Sequence, residues 1–188
     1  MAASQAPESG SAAEEEALRD TLRRFLDASR HHLKFGYPGR IDRATRDLSE
    51  EDLWWRPSRA SNSIGHLVLH LEGNLRQWII HGVGGALDTR DRAAEFAAEP
   101  SPWAPLRARL DETLAEVDHL LAGLDPDVLG RPRTIQGVET TVLEAIYHVV
   151  EHFSMHTGQI LWIAKARTGR DLGLYEIDEA GRVTGLNW

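Results

Sequence analysis

Apolar residues recur along most of the chain at the three- and four-residue spacing of amphipathic helices. The first such run predicts a helix over residues 14–34, with acidic residues at its start, where the helix dipole favours them. The sequence GYPG at 36–39 should break or kink this helix, because glycine and proline both interrupt helical hydrogen bonding. Residues 41–48 are then expected to form a further helical piece.

The same spacing predicts three more helices. The second extends from the cap candidates Ser61–Ser63 to about His81, where a glycine run ends it. The third covers about 102–123 and the fourth, which is the most apolar, about 140–168. The charged segment 86–101, which ends in proline, is expected to be a long loop, and the stretch RPRTIQG is placed in another loop.

Four long helices with short to moderate connections, and hardly any strand pattern, predict an all-α fold of the four-helix-bundle class. Residues 1–11 are small and polar, so we expect a disordered N-terminal tail. The bundle domain is assigned to 12–175 and a C-terminal extension to 176–188. A short hairpin is expected around Glu179-Ala180-Gly181.

Composition narrows the functional classes. A formal charge of −8 argues against nucleic acid as a ligand, because affinity for phosphates depends on clustered Lys and Arg. No apolar run approaches the length of a membrane span, and the N-terminus lacks a secretory pattern, so we expect a cytoplasmic protein without membrane contact. The chain has no cysteine but nine histidines, which leaves imidazole and carboxylate as its strong metal ligands.

Histidines form stripes on two of the predicted helices. On the second helix, Ser63, His66, Asn74, Gln77 and His81 lie within about 40° of His70, at 100° per residue. On the fourth helix, His148, His156, Gln159 and Ile163 lie within about 40° of His152. Each helix therefore carries one polar stripe.

The fourth helix is too apolar to expose its whole stripe to water, and burying imidazoles without partners is costly. Either these histidines hydrogen-bond to one another and to buried water, or they bind a metal. Two histidines at i and i+4 suit a single ion, and His70 on the second helix can supply a third ligand. Ferritin-like di-iron chemistry is disfavoured because no Glu stands three residues before a His in either helix. No phosphate-binding loop or G-x-S-x-G motif is present.

Two stretches, SIGHLVLHLEGNLRQW (63–78) and HVVEHFSMHTGQI (148–160), resemble the DinB-like superfamily of metal-binding four-helix bundles. That superfamily is related to bacterial thiol S-transferases. The motifs DTRDRAAEF and IQG, followed by HTGQI, are similar to an uncharacterised subfamily of the group. The resemblance covers about residues 14–175. It maps the metal ligands onto His70, His152 and His156, whereas His66 and His148 match no ligand of the family. Thr157 stands where family members often have Arg or Lys.

What the resemblance implies is a divalent metal ion, Zn or Ni above all, held by three histidines with an open position for water or substrate. The implied function is a metal-dependent transferase that joins a low-molecular-weight thiol to a small electrophile. A metal-dependent hydrolase and a non-enzymatic, stress-related metal-binding module are the alternatives. His66, Asn74, Gln77, His148 and Gln159 are the candidates for orienting the ligands or lining the substrate pocket. The apolar fourth helix also suggests a homodimer.

Overall fold

The computed structural model describes residues 11–187. The tail expected over residues 1–11 lies outside the described part of the chain, except for Ser11. The helices are α1 Ala12–His31, α2 Tyr37–Thr45, α3 Glu50–Trp54, α4 Ile64–Leu75, α5 Arg92–Ala97, α6 Trp103–Ala122 and α7 Val142–Thr168. Segments of π-helix cover His32–Gly36 and Arg76–His81, and a 3₁₀ turn covers Pro126–Val128. Strands β1 Pro132–Ile135 and β2 Val138–Thr141 form one antiparallel pair, and β3 Tyr175–Ile177 and β4 Val183–Leu186 form another.

The GYPG sequence was expected to break or kink the helix, and the break does not occur, because helical structure continues from α1 through a π-helical segment into α2. α1 begins at a capping box in which Ser11 and Glu14 each bond to the other's backbone N–H. The π-helical segment between α1 and α2 ends where the N–H of Tyr37 donates to the carbonyl of His32. Pro38 follows in the first turn of α2, a position that tolerates proline.

Two segments that were expected to be loops contain regular structure. Residues 92–97 within the predicted loop 86–101 form α5, which begins where the carboxylate of Asp91 accepts from the N–H of Ala94. The stretch RPRTIQG contributes β1 and the turn of a hairpin. Gln136 and Gly137 occupy that turn with φ values of 54° and 76°, as a two-residue hairpin turn requires.

The remaining elements lie close to their predicted positions. α4 begins after Ser63, α6 spans Trp103–Ala122 and α7 ends at Gly169, whose φ of 64° allows it to close the helix. The hairpin expected around Glu179-Ala180-Gly181 is confirmed as β3 and β4. The described chain is thus predominantly helical, with two small two-stranded sheets.

Helix α4 lies at the centre of the structure. Every residue from Ile64 to Leu75 is buried except Leu69, and the helix contacts α3, α5, α6 and α7. Its polar residues therefore have little access to water and must find partners on the surrounding helices. None of the helices among residues 11–187 combines the length and the apolar character needed to cross a membrane.

The core between α4 and α6 should dominate stability. Leu110 on α6 is fully buried, whereas Leu18 on α1 is 60% exposed. We expect Leu110→Ala to lower the free energy of unfolding by about 2–5 kcal/mol, because it removes buried methyl groups and leaves a cavity. The same substitution at Leu18 should cost less than about 0.5 kcal/mol. Urea unfolding of both variants would measure the difference, and equal losses would contradict the assigned core.

Candidate metal centre

Helices α4 and α7 bring three histidines together. His70 comes from the middle of α4, and His152 and His156 come from successive turns of α7. One ring nitrogen from each histidine lies within 4.8 Å of the other two, and His70 Nε2 and His152 Nε2 are 2.9 Å apart. The three rings meet mostly edge to face, with centroids 4.4–5.0 Å apart. The structure thus assembles the three histidines that the family resemblance selected.

Glu95 orients the ring of His70 by a contact with Nδ1, the ring nitrogen that faces away from the other two histidines. His70 Nδ1 lies 2.9 Å from the carboxylate oxygen Oε2 of Glu95, and both side chains are buried. The same Nδ1 lies 3.1 Å from Arg90 Nη2, which can only donate, whereas the ionised carboxylate can only accept. We assign the proton to Nδ1 on the shorter contact, so that His70 donates to Glu95 and the guanidinium donates to the carboxylate and not to the ring. Nε2 is then unprotonated and presents its lone pair to His152 and His156.

The ring of His156 is oriented in a similar way. Its Nδ1 lies 2.7 Å from the side-chain oxygen Oε1 of Gln159, one turn further along α7. The amide oxygen accepts, so Nδ1 donates and Nε2 of His156 faces the cluster without a proton. In metal-binding proteins the second nitrogen of a ligating histidine usually donates to such an acceptor.

The arrangement fits a small divalent ion. Zinc–nitrogen bonds of about 2.0–2.1 Å in tetrahedral geometry place two ligand nitrogens about 3.3 Å apart. The nitrogens of the three histidines, 2.9 Å apart for the closest pair and at most 4.8 Å for any pair, bracket that separation. At 2.9 Å the two Nε2 atoms are also within hydrogen-bond distance, with one ring donating to the other, and a bound cation would take the place of that proton. These three residues could therefore hold a metal ion.

Burial keeps His152 and His156 neutral. Desolvation, followed by the proximity of His156, His70, His148 and Arg90, lowers the pKa of His152 from 6.5 to about 3. Burial also lowers the pKa of His156, although its hydrogen bond to Gln159 acts in the opposite direction. Both rings are therefore neutral at physiological pH, which is the form that binds metals.

Glu95 is itself held by Arg90. The guanidinium donates from Nε to Oε1 at 2.6 Å and from Nη2 to Oε2 at 2.9 Å. Burial alone would raise the pKa of Glu95, but the hydrogen bonds and charges of Arg90 and His70 outweigh it and hold that pKa below its usual value. The carboxylate is thus ionised, and its charge-assisted bonds fix the donor geometry at His70.

Gly73 on α4 leaves the space that this pair occupies. A Cβ atom on Gly73 would lie 2.0 Å from Oε1 of Glu95 and 3.0 Å from Nε of Arg90. Any larger side chain would therefore displace the carboxylate from His70. The small residue three positions after the ligand is part of the same arrangement.

Two of the other candidate residues contact the three histidines. Gln159 binds His156, as described above. The ring of His148 lies beside His152, with centroids 5.4 Å apart, and packs on the indole of Trp78 at 4.2 Å. Burial lowers the pKa of His148 as well. It therefore flanks the cluster without contributing to the group of three nitrogens.

The remaining candidates lie further from the three rings. Gln77 accepts from Arg90 Nη1 at 3.0 Å and donates to Asp88 at 2.8 Å, so it supports the arginine and not a ligand. Asn74 is buried, and its side chain makes no hydrogen bond to the cluster within the described residues.

His66 lies in the first turn of α4 and contacts the segments around it instead of the three histidines. Its Nδ1 is 2.6 Å from the hydroxyl of Ser63, and its Nε2 is 3.2 Å from the carbonyl of Ala98. The ring also meets Trp54 edge to face at 5.2 Å. These contacts join the beginning of α4 to the chain after α5 and to α3.

Sequence reasoning missed Glu95 and Arg90, because their segment was expected to be a loop. One local signal could have indicated the helix that carries Glu95. Asp91 is a good cap residue, and RAAEFA after it is rich in helix-forming residues. The motif DTRDRAAEF, which contains both residues, was noted only as part of the resemblance, and it did not indicate contact with His70, which lies 25 residues before Glu95.

The fold and the cluster define a predominantly helical protein in which three histidines could hold one metal ion. Comparison with family models gives the particular family. The chain belongs to the family described as Protein of unknown function (DUF1572), whose model matches residues 20–179. That range includes all three histidines together with Arg90 and Glu95. A comparison with curated proteins found no match.

Neutralising Glu95 should weaken the metal site. We expect Glu95→Gln to reduce affinity for Zn²⁺ by about 10–100-fold, because the amide is a poorer acceptor for His70 Nδ1 and leaves Arg90 without its counter-charge. Calorimetric titration with zinc would measure the effect. Glu99→Gln, an exposed change four residues later, is the matched control and should bind like the parent protein. Equal affinities for the two variants would show that Glu95 does not position a ligand.

Without metal, stability should fall as the pH is lowered below about 6.5. Between pH 6.5 and about 3 the unfolded chain binds a proton at His152 that the folded chain does not. The free energy of unfolding therefore decreases through that window, by at most ~1.4 kcal/mol per pH unit for this group. Burial lowers the pKa values of His66, His148 and His156 too, and they act in the same direction.

Urea titrations at several pH values in the presence of a chelator would test this expectation. His152→Gln should show a shallower dependence on pH than the parent protein. His119→Gln, at an exposed position of α6, should keep the parent slope. An unchanged slope in His152→Gln would mean that this ring is not held neutral by the fold.

Proposed function

We propose that this protein is a DinB-like four-helix bundle that binds one divalent metal ion and transfers a low-molecular-weight thiol to a small electrophile. The single observation that carries the proposal is the convergence of three imidazole nitrogens from α4 and α7, two of them with their outer nitrogens bound to acceptors. The transferase step rests on this donor set and on the sequence resemblance together.

Four long helical segments support the proposed bundle: residues 12–45, residues 64–81, α6 and α7. The second of them contacts both α6 and α7, and α1 contacts α6 and α7 as well. In such bundles, metal sites are built from side chains on facing helices. His70 on one segment and His152 and His156 on another follow that rule.

The donor set favours catalysis over a purely structural site. Structural zinc sites use four protein ligands, whereas catalytic sites use three and keep a position open. Among residues 11–187 the group consists of three histidines, and no carboxylate joins it. Since imidazole is a neutral ligand, an ion bound by three of them would keep its full charge and could hold a thiol as thiolate or lower the pKa of water.

A groove beside the site supports a small-molecule substrate. It has a volume of about 390 Å³ and opens between residues 57–62 and α7. Leu67, Trp162 and Ile163 give it apolar walls, and Gln159, which binds His156, lines it as well. We propose that the organic part of a substrate binds there, close to the ligands but separate from them.

The transferase proposal predicts activity that requires both metal and thiol. Protein loaded with Zn²⁺ or Ni²⁺ should consume a model electrophile, followed by absorbance, only when a biological thiol is present. His152→Ala should lose at least about 100-fold in rate, because a ligand is removed. His119→Ala, at an exposed position far along α6, is the control and should retain the parent rate.

Two results would contradict the transferase. Activity on ester or amide substrates that needs no thiol and rises with the ionisation of bound water would identify a hydrolase instead. Tight metal binding with no turnover across several thiols and electrophiles would leave a non-enzymatic metal-binding protein.

A further inference from the structure

Helix α7 presents an exposed face on which large apolar side chains stand among small and charged ones. We call it the outer face of α7, and its residues are Glu151, Ser154, Met155, Gly158, Trp162 and Lys165. At 100° per residue they all lie within about 60° of Gly158 around the helix axis. Trp162 is 60% exposed and Met155 48% exposed, and Tyr147, 61% exposed, extends the face by one turn.

The middle of this face is shaped for close approach by another helix. Ser154 and Gly158 are small and lie one turn apart, and a Cβ atom on Gly158 would meet nothing within 4 Å. By the same arithmetic Trp162 and Met155 lie about 40° and 60° from Gly158 on one side of it, and Ser154 lies about 40° away on the other. A second helix could therefore approach closely at Gly158 and bury Trp162 and Met155 along one edge of the contact.

The face is complementary to itself. In an antiparallel pair related by a two-fold axis at Gly158, residues equally far from it in opposite directions lie opposite each other. Glu151 stands seven positions before Gly158 and Lys165 seven after, so opposite charges meet twice. Ser154 and Trp162 stand four positions before and after, so the largest side chain meets a small one.

Within the described part of the chain, Glu151 acts electrostatically on His148 and His156 of its own helix but makes no close contact with Lys or Arg. Among the residues that the structure describes, no ion pair of Glu151 or Lys165 is found, and both are exposed. Their charges are therefore available to a partner that places a cation opposite Glu151 and an anion opposite Lys165. A second copy of α7 in antiparallel orientation does this.

We propose that the outer face of α7 is the interface of a homodimer, in which two α7 helices pack antiparallel about a two-fold axis at Gly158. The occupant is a second copy of this chain. One helix pair buries less than the ~800 Å² per partner of a standard interface, so the dimer should dissociate in the micromolar range. The inference does not depend on the proposed metal chemistry.

Charge reversal on the full-length chain tests the pairing. Sedimentation velocity between low-micromolar and sub-millimolar concentration should show the parent protein passing from monomer to dimer. Glu151→Lys or Lys165→Glu alone should raise the dissociation constant about tenfold, because each places like charges opposite each other twice. The double variant, Glu151→Lys with Lys165→Glu, should return it to within about threefold of the parent value, because the two pairs are restored.

Removing the apolar anchor gives a second test. Trp162→Ala should raise the dissociation constant at least about tenfold, since buried tryptophans dominate interfaces. Trp162 also lines the groove beside Gln159, so oligomeric state and not activity is the measurement. Glu112→Lys on α6 and Leu87→Ala, which is 85% exposed, are the matched controls and should leave the dimer unchanged.

Three results would overturn the proposal. The parent protein could remain monomeric throughout the concentration range. It could dimerise with equal strength after Trp162→Ala and Glu151→Lys, which would place the interface elsewhere. The double charge reversal could also fail to restore the dimer, which would exclude the antiparallel register. Circular dichroism would show that each variant keeps its helices.

Discussion

The hydrogen bond from His70 to Glu95 joins the candidate metal centre to the rest of the fold. His70 lies on α4, the most enclosed helix, and imidazoles that are buried there need partners for both ring nitrogens. Glu95 satisfies one nitrogen, and the cluster with His152 and His156 receives the other. Without the carboxylate, the proton on His70 would be free to move to Nε2 and face the other rings. The tautomer required for metal binding therefore depends on a residue outside α4 and α7.

That single bond explains several otherwise unrelated features. Arg90 keeps Glu95 ionised and donates to the side-chain oxygen of Gln77. The same oxygen accepts from Gln136 of the β1–β2 hairpin. Gly73 leaves room for the carboxylate beside α4. The short helix α5, the hairpin turn and a glycine in the core thus contribute to the orientation of one imidazole. A metal ligand on a rigid helix is precise only when such supports are present.

Local periodicity was enough to predict the parts of the structure that depend on one helix at a time. The bounds of α4, α6 and α7 follow from apolar spacing and caps, and the histidine stripes follow from the helical repeat. The supports of the site could not be predicted in this way. Glu95 and Gln136 reach the site through contacts between segments distant in sequence, and neither segment has enough apolar residues to produce a periodic pattern. The helix that continues through GYPG was missed for a different reason. The π-helical segment His32–Gly36 ends just before α2, so Pro38 stands in the first turn of α2, where its missing N–H is tolerated.

The buried side and the exposed side of α7 have different roles in this account: the first forms the candidate metal centre and the second the proposed subunit interface. The buried side carries the histidines and is constrained by α4. The outer side carries Trp162 and Met155 in water, together with two charges unpaired within the described chain. Apolar composition suggested a subunit interface from the sequence, but only the exposure of individual residues separates the two sides of the helix.

The central claim is that His70, His152 and His156 form one metal site, and elemental analysis of purified, metal-equilibrated protein tests it most directly. The parent chain should carry one divalent ion. His70→Ala, His152→Ala and His156→Ala should each lose it, whereas His66→Ala should retain it because that ring bonds to Ser63 and Ala98 instead. A parent protein that retains no metal, or a His152→Ala variant that retains the full complement, would contradict the account.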